Sequence, residues 1–345
     1  VHTSAMFGAA IGGLVLGRVL DRIGFFRIAL VGAAATGIGL LLAASAKELA
    51  NLHWIYGVLI GGVGQGAFFS PLTAAVSQWF DRRRAIAIAL VASGQSVGGL
   101  VLPPLMRWGV DAIGWRATLT SYGVVAGLAL MACSFAFRRK PPKQVLLTNR
   151  SRVDEIDRSP SRSCFLVLGL CMTLSNHAGF IVIAHLTAFG EEHGLAPAAA
   201  AGLVSTLLGV SLFSRLSVGQ MSRRWGCFKV LLAMSTLLAV GAVCLANAQG
   251  TTAIWIAVIP IGLAFGGYLP GYAILVRELF PADQAGRRIA EIFFFAFVAA
   301  GIGSLTGGWI RDQTGGYLVP FWFGAGSAIC GAAMLLPLYR RLRHI

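Results

Sequence analysis

Charge is scarce in this sequence. Only 12% of its 345 residues are Asp, Glu, Lys or Arg, against roughly 25% in a soluble domain. Acids are scarcer still, 13 against 28 bases. No Cys-x-x-Cys pair occurs among the six cysteines, Cys133, Cys164, Cys171, Cys227, Cys244 and Cys330, which lie mostly in apolar runs. Neither a disulfide framework nor a cysteine metal site is indicated. A strand followed by G-x-G-x-x-G, a Walker phosphate loop and a metal-ligand cluster are all missing, so no enzyme chemistry, cofactor or metal is expected. No signal peptide is visible, and the first residue is Val1 rather than Met.

What is present is apolar length. Hydrophobic residues make up 57% of the chain, and the mean hydropathy is +0.76. Eleven apolar runs recur, near 4–20, 25–46, 54–79, 85–107, 115–137, 164–190, 198–221, 227–247, 253–279, 289–311 and 317–339. Each is long enough to cross roughly 30 Å of hydrocarbon as a helix. Barrel strands would alternate in polarity, and these runs do not. The expected class is an all-α polytopic membrane protein with the lipid bilayer as partner. The net charge of +15 would suggest nucleic acid in a soluble protein. Here it marks loops, and no nucleic-acid partner is expected.

The bases fall on one side. Alternate connections hold 23 of the 28 Lys and Arg, whereas the other set holds Lys47, Arg107, Arg116 and Arg311, and Arg215 lies inside a run. The positive-inside rule makes the richer side cytoplasmic, with the C-terminus inside and Val1 outside. The polar stretch 138–163, with Pro141, Pro142 and Pro160, divides an N-terminal bundle (1–137) from a C-terminal one (164–345) as a cytoplasmic linker.

The second half echoes the first. Gly17, Arg22 and Gly24 of "GRVLDRIG" match Gly219, Arg224 and Gly226 of "GQMSRRWG", 202 residues on. Trp79-Phe80 parallels Leu279-Phe280, and "WGVDAIG" (108–114) matches "WIRDQTG" (309–315). Pro71 and Pro270 also correspond, and with Pro103, Pro104 and Pro260 they are expected to kink their helices. Helical repeats of this kind mark secondary transporters. Equivalent halves would leave the first short of one helix at its N-terminus, an expected twelve in all. Glycine pairs at GxxxG spacing (8/12, 13/17, 57/61, 62/66, 94/98, 303/307) are expected to form helix-packing faces.

"GRVLDRIGFFR" resembles the loop motif after the second helix of the major facilitator superfamily. "WFDRRRAIAIALVASGQSVGG", "HLTAFGEEHGLAPAAAAGLVSTLLGVSLFSRLSVG" and "GGWIRDQTGGY" resemble its monocarboxylate and oxalate/formate branch. The likeness runs along the whole chain, aligned to helices two through twelve. It implies two pseudo-symmetric six-helix bundles, of which eleven helices are here, in a plasma-membrane carrier that works as a monomer. It also implies a conformational lock of Gly17, Asp21, Arg22, Gly24 and Arg27, in which Asp21 meets the N-terminus of the helix near residue 289. The second copy departs from the pattern, with Arg223 in place of Asp21, so the lock is expected to be asymmetric.

Arg215 is the clearest charge deep in a span, where ionisable groups are costly and functional by default. A guanidinium can hold a carboxylate through two parallel hydrogen bonds. The resemblance implies an anion-binding role for it, the rival being a side chain that snorkels to the interface. Some monocarboxylate carriers have an Asp one turn earlier, where this chain has Ser211. The oxalate/formate exchangers are expected to add a Lys in a helix corresponding to 289–310, which has none. Both departures favour a single carboxylate or a larger organic anion over a dicarboxylate such as oxalate. In 164–190, Asn176, His177 and His185 are candidates for substrate binding. A histidine could also carry a proton, because imidazole titrates near physiological pH. His177 is the deeper candidate for that role and His185 a candidate gate at the entrance, the alternative being histidines that are only hydrogen-bonded in the core. Gln65, Ser93, Gln95, Tyr268 and Tyr272 are expected at mid-depth as hydrogen-bonding groups. Phe293, Phe294, Phe295 and Phe297 are read as lipid-facing or core, and Glu191, Glu192 and His193 as a solvated turn.

The reading is a secondary active carrier of a small organic anion of monocarboxylate type, by proton-coupled symport or exchange with a counter-substrate. One rival is efflux of a hydrophobic compound, which should not depend on Arg215. Another is a transporter-like sensor without flux, which would be expected to carry an added domain or long tail.

Overall fold

The computed structural model describes residues 1–79, 84–139, 162–280 and 282–342, and among them there is no strand. The helices are α1 (His2–Ile23) and α2 (Phe25–Ser45). Next comes the broken α3, made of Leu49–Trp54, a π-helical stretch Ile55–Gln65, Gly66–Phe68 and Ser70–Trp79. Then follow α4 (Arg84–Ile113) and α5 (Trp115–Ser134), the latter continued by a 3₁₀ turn to Arg138. The remainder are α6 (Arg162–Glu192), α7 (Pro197–Trp225), α8 (Cys227–Ala246), α9 (Thr251–Leu279), α10 (Ala282–Thr314) and α11 (Leu318–Leu342). Ten of the eleven expected spans meet the length and apolarity of a membrane crossing among the described residues, and the eleventh lies within α4.

The echo in the sequence is an echo in the backbone. Gly24 and Gly226 take φ +77° and +87°. Each donates its N–H to the carbonyl four residues back, Leu20 at 3.0 Å and Ser222 at 2.8 Å. Gly114 and Gly315 repeat the arrangement at φ +81° and +75°, bonded to Val110 and Arg311. Gly24 and Gly226 each join two helices through a single residue, in a region of φ and ψ open almost only to glycine. An added Cβ at Gly226 would touch nothing within 4 Å, so any cost there is backbone strain. Gly226→Ala is expected to lose about 1–3 kcal/mol of stability, read as a lower Tm in detergent. Gly94→Ala, also free of contacts but helical, should leave Tm unchanged or raise it.

The chain separates into two compact units, residues 1–91 with 104–143, and residues 92–103 with 144–345. In the first, α1 packs on the π-helical part of α3, and α2 packs on α5 and α3. In the second, α7 packs on α9, and α8 packs on α9 and α11, the same pairings repeated. There α6 also packs along both α10 and α11.

Glycine spacing is only partly realised as packing. A Cβ on Gly8 would fall 1.9 Å from the Gly57 carbonyl oxygen, and one on Gly12 would fall 1.8 Å from that of Gly62. A Cβ on Gly303 would meet the His177 carbonyl at 2.5 Å. Gly13, Gly17, Gly94 and Gly98 make no such approach. Spacing puts two glycines on one face, but whether another helix lies there is a tertiary matter. Pro71 lies just past the break in α3 at Phe69, whereas α9 continues through Pro260 and Pro270, and α4 through Pro103 and Pro104.

Candidate functional site

Helix α7 starts on Pro197, whose missing N–H is no loss in a first turn. It carries Arg215 into the second unit, where the side chain is 1% exposed. Residues 92–103 of α4 belong to the same unit and lie along α7, with Gly99 against Leu208 and Gly209 against Leu100. One nitrogen of the guanidinium is used. Nη1 donates to the Ala92 carbonyl at 2.5 Å and to Gln95 Oε1 at 3.1 Å. Nε and Nη2 are buried and have no partner. These two nitrogens share one edge of the planar group, so the free donors form a parallel pair that matches the two oxygens of a carboxylate. Among the described residues no carboxylate pairs with Arg215.

One turn earlier, Ser211 occupies the place where an acid could have neutralised it. Its hydroxyl donates to the Leu208 carbonyl at 2.7 Å and accepts from Ser96 Oγ at 2.8 Å. Ser96 and Ser211 are both fully buried. A neutral hydroxyl bridge thus ties α7 to α4 beside the arginine and leaves its charge uncompensated. Gln95 is exposed apart from this contact, and Ser93 is buried.

The other expected site residues fall into separate groups. Tyr268 and Tyr272 on α9 are wholly buried, 1% and 0% exposed. Their hydroxyls are buried without a hydrogen-bond partner, and the Oγ atoms of Ser175 and Ser235 are 3.3 Å apart. Asn176 donates from Nδ2 to the Ala296 carbonyl at 2.5 Å. The imidazole of His177 lies between Ser327 Oγ (3.2 Å from Nδ1) and Thr306 Oγ1 (2.9 Å from Nε2). His185 donates from Nε2 to the Ser304 carbonyl at 3.0 Å, and its ring fills the groove left by Gly307 and Gly308. Gln65 ends the π-helical part of α3, in the first unit.

Gly17, Arg22, Gly24 and Arg27 surround the α1–α2 turn, with both arginines exposed. The side chain of Asp21 lies outside the described residues. The stretch read as a solvated turn is more ordered. Glu191 and Glu192 end α6, Glu192 pairs with Arg311 of α10, and His193 packs its ring on Phe189. Helix-end acids become partners once another helix brings a base to them.

Thr306 and Ser327 were not singled out in the sequence. Their only distinction is contact with His177 across 129 and 150 residues, and nothing local signals it.

Known proteins with this pattern are transporters. A profile of the Major Facilitator Superfamily matches residues 1–261 and again 166–344. Over 327 residues the sequence is 27% identical to MFS transporter asaE of Aspergillus flavus, covering 94% of this chain and 73% of the relative. It is 25% identical over 338 residues to monocarboxylate transporter 13 of Rattus norvegicus, covering 96% and 76%. Among solved structures, the human organic anion transporter MFSD10 matches with a TM-score of 0.74 at 14% identity, covering 97% of this chain and 82% of that one. A variant of the E. coli fucose:proton symporter FucP matches at 0.68 and 15% identity, covering 97% and 89%. At these identities the solved structures establish the fold.

Proposed function

The chain belongs to the major facilitator superfamily, a family of transmembrane transporters, and from that premise we propose that it carries a small organic anion of monocarboxylate type. The carriage is secondary, by symport with protons or exchange for a second anion, through alternating access. One observation bears most of the weight. Arg215 is a buried cation with no carboxylate partner among the described residues and a free two-donor edge. A charge held in an apolar interior at such cost is kept for a ligand that arrives and leaves. The relatives named as monocarboxylate transporters support the same class.

The proposed binding event is simple in outline. A carboxylate accepts hydrogen bonds from Nε and Nη2 and neutralises the charge, while Nη1 stays anchored on Ala92 and Gln95 and holds the guanidinium plane in place. In this structure both free donors are shut off from solvent, so the anion is admitted in another state of the cycle. The ligand's binding energy then favours the states in which that edge is filled.

Counterflow in proteoliposomes separates this reading from carriage of a neutral compound. Vesicles loaded with an unlabelled small monocarboxylate should accumulate the labelled form, and the matching neutral amide should not compete. Competition by the amide as strong as by the acid would exclude recognition by Arg215 and favour a carrier of neutral hydrophobic compounds.

A further inference from the structure

His177 has a second and separate chemistry. Its ring, 9% exposed, lies between two hydroxyls, and each hydroxyl already has an acceptor for its own proton. Ser327 Oγ donates to the Leu174 carbonyl at 2.9 Å, a bond between helices. Thr306 Oγ1 is within reach of two carbonyls of its own helix, Ile302 at 3.0 Å and Gly303 at 3.2 Å. With both hydroxyl protons on the backbone, both ring nitrogens face lone pairs. That arrangement suits an imidazolium, which has two N–H donors and no acceptor.

A neutral ring requires one hydroxyl to turn and donate to it. The two hydroxyls are not equivalent. Turning Ser327 breaks the α11–α6 bond at Leu174. Turning Thr306 gives up only a local bond within α10. The neutral ring is therefore Nδ1–H, donating to Ser327, with Nε2 accepting from Thr306.

We propose that His177 is a proton-binding site of this protein, with Thr306 as the hydroxyl that hands the proton to Nε2. A proton arriving at Thr306 Oγ1 is taken up there while the hydroxyl's own proton passes to Nε2. Thr306 then bonds Ile302 again, and the net change is one proton and one positive charge on the ring. Thr306 is half-buried and Ser327 is 8% exposed, so access is from the Thr306 side.

The ring also meets Phe323 in a T-shaped arrangement, at 5.9 Å between centroids. No acid or base among the described residues is bonded to the ring. Among the described side chains of α10 the charges lie toward its ends, Arg287, Arg288 and Glu291 at one and Arg311 and Asp312 at the other. On α7 and α9, Arg215, Tyr268 and Tyr272 have the separate surroundings given above. The site stands on this geometry alone, and its use in coupling transport rests on the carrier reading.

The test needs no substrate. The chain has six histidines, so ¹⁵N-histidine-labelled protein in nanodiscs can be followed by NMR between about pH 5 and 8. The His177 signal is identified by its loss in His177→Gln or, should that variant not fold, His177→Asn. The expected result is a neutral Nδ1–H ring at the upper end and reversible protonation of Nε2 toward the lower end. Thr306→Val removes the acceptor for Nε2–H and should cut the imidazolium fraction at a fixed acidic pH about tenfold. A His177 signal that does not change over the range, or a neutral ring carrying its proton on Nε2, overturns the proposal. An unaltered titration in Thr306→Val overturns the part given to Thr306. Failure of carboxylate counterflow would leave these outcomes untouched.

Discussion

Arg215→Gln should reduce carboxylate counterflow at sub-saturating substrate by at least about 100-fold. Two charge-assisted hydrogen bonds to the anion are lost, each worth about 1.5–3 kcal/mol, and 1.4 kcal/mol is a factor of ten in binding. Arg215→Lys keeps the charge but replaces a planar fork by a single ammonium, and should retain intermediate activity. Stability should move the other way. An unpaired buried cation costs several kcal/mol of desolvation, and its contacts to Ala92 and Gln95 return part of that. Removing the charge should therefore hold or raise the Tm. The pairing of lost flux with unimpaired stability is what a ligand site predicts and a structural arginine does not. Counterflow within twofold of the parent, or a Tm that falls together with the flux, would remove Arg215 from the binding site.

Gly12→Ala should be the most damaging single-methyl change in the first unit. The new Cβ would lie 1.8 Å from the Gly62 carbonyl oxygen, and the atoms around it are backbone, with no side chain able to move aside. α1 and the π-helical part of α3 would have to separate. Overpacking of this kind typically costs about 1–3 kcal/mol and at times more. The neighbouring Gly13→Ala is the matched control. Its Cβ would meet only Ser70 Cβ at 3.9 Å, and loss of glycine inside a helix should stabilise by about 0.5–1 kcal/mol. Equal Tm values for the two variants, measured in one detergent, would show that α1 and α3 do not pack as closely as described.

Much of the fold follows from the sequence alone, because its causes are local. The apolar runs set most helix ends within a few residues, α6 for instance at Arg162–Glu192 against an expected 164–190. By contrast, α10 starts at Ala282 against 289 and α4 ends at Ile113 against 107, where polar first and last turns extend the helix past its apolar run. The repeated glycines set the turns, since positive φ at 24, 114, 226 and 315 is a property of each residue. Arg215 stood out because charge is rare in a span, and rarity can be read without coordinates.

Partners could not be read that way. In a membrane helix the face toward lipid and the face toward a neighbour are both apolar, so hydrophobic periodicity does not say which is which. Gly8/Gly12 and Gly94/Gly98 look alike as spacings, yet only the first pair meets another backbone. Residues 92–103 of α4 cluster with the second unit, and that alone provides Arg215 with Ala92 and Gln95. His177 draws its two hydroxyls from helices 129 and 150 residues away. Local propensity decided where helices begin and end. Only the tertiary structure decided which edge of a guanidinium is left free and which hydroxyl can turn toward an imidazole, because both depend on contacts between helices far apart in the chain.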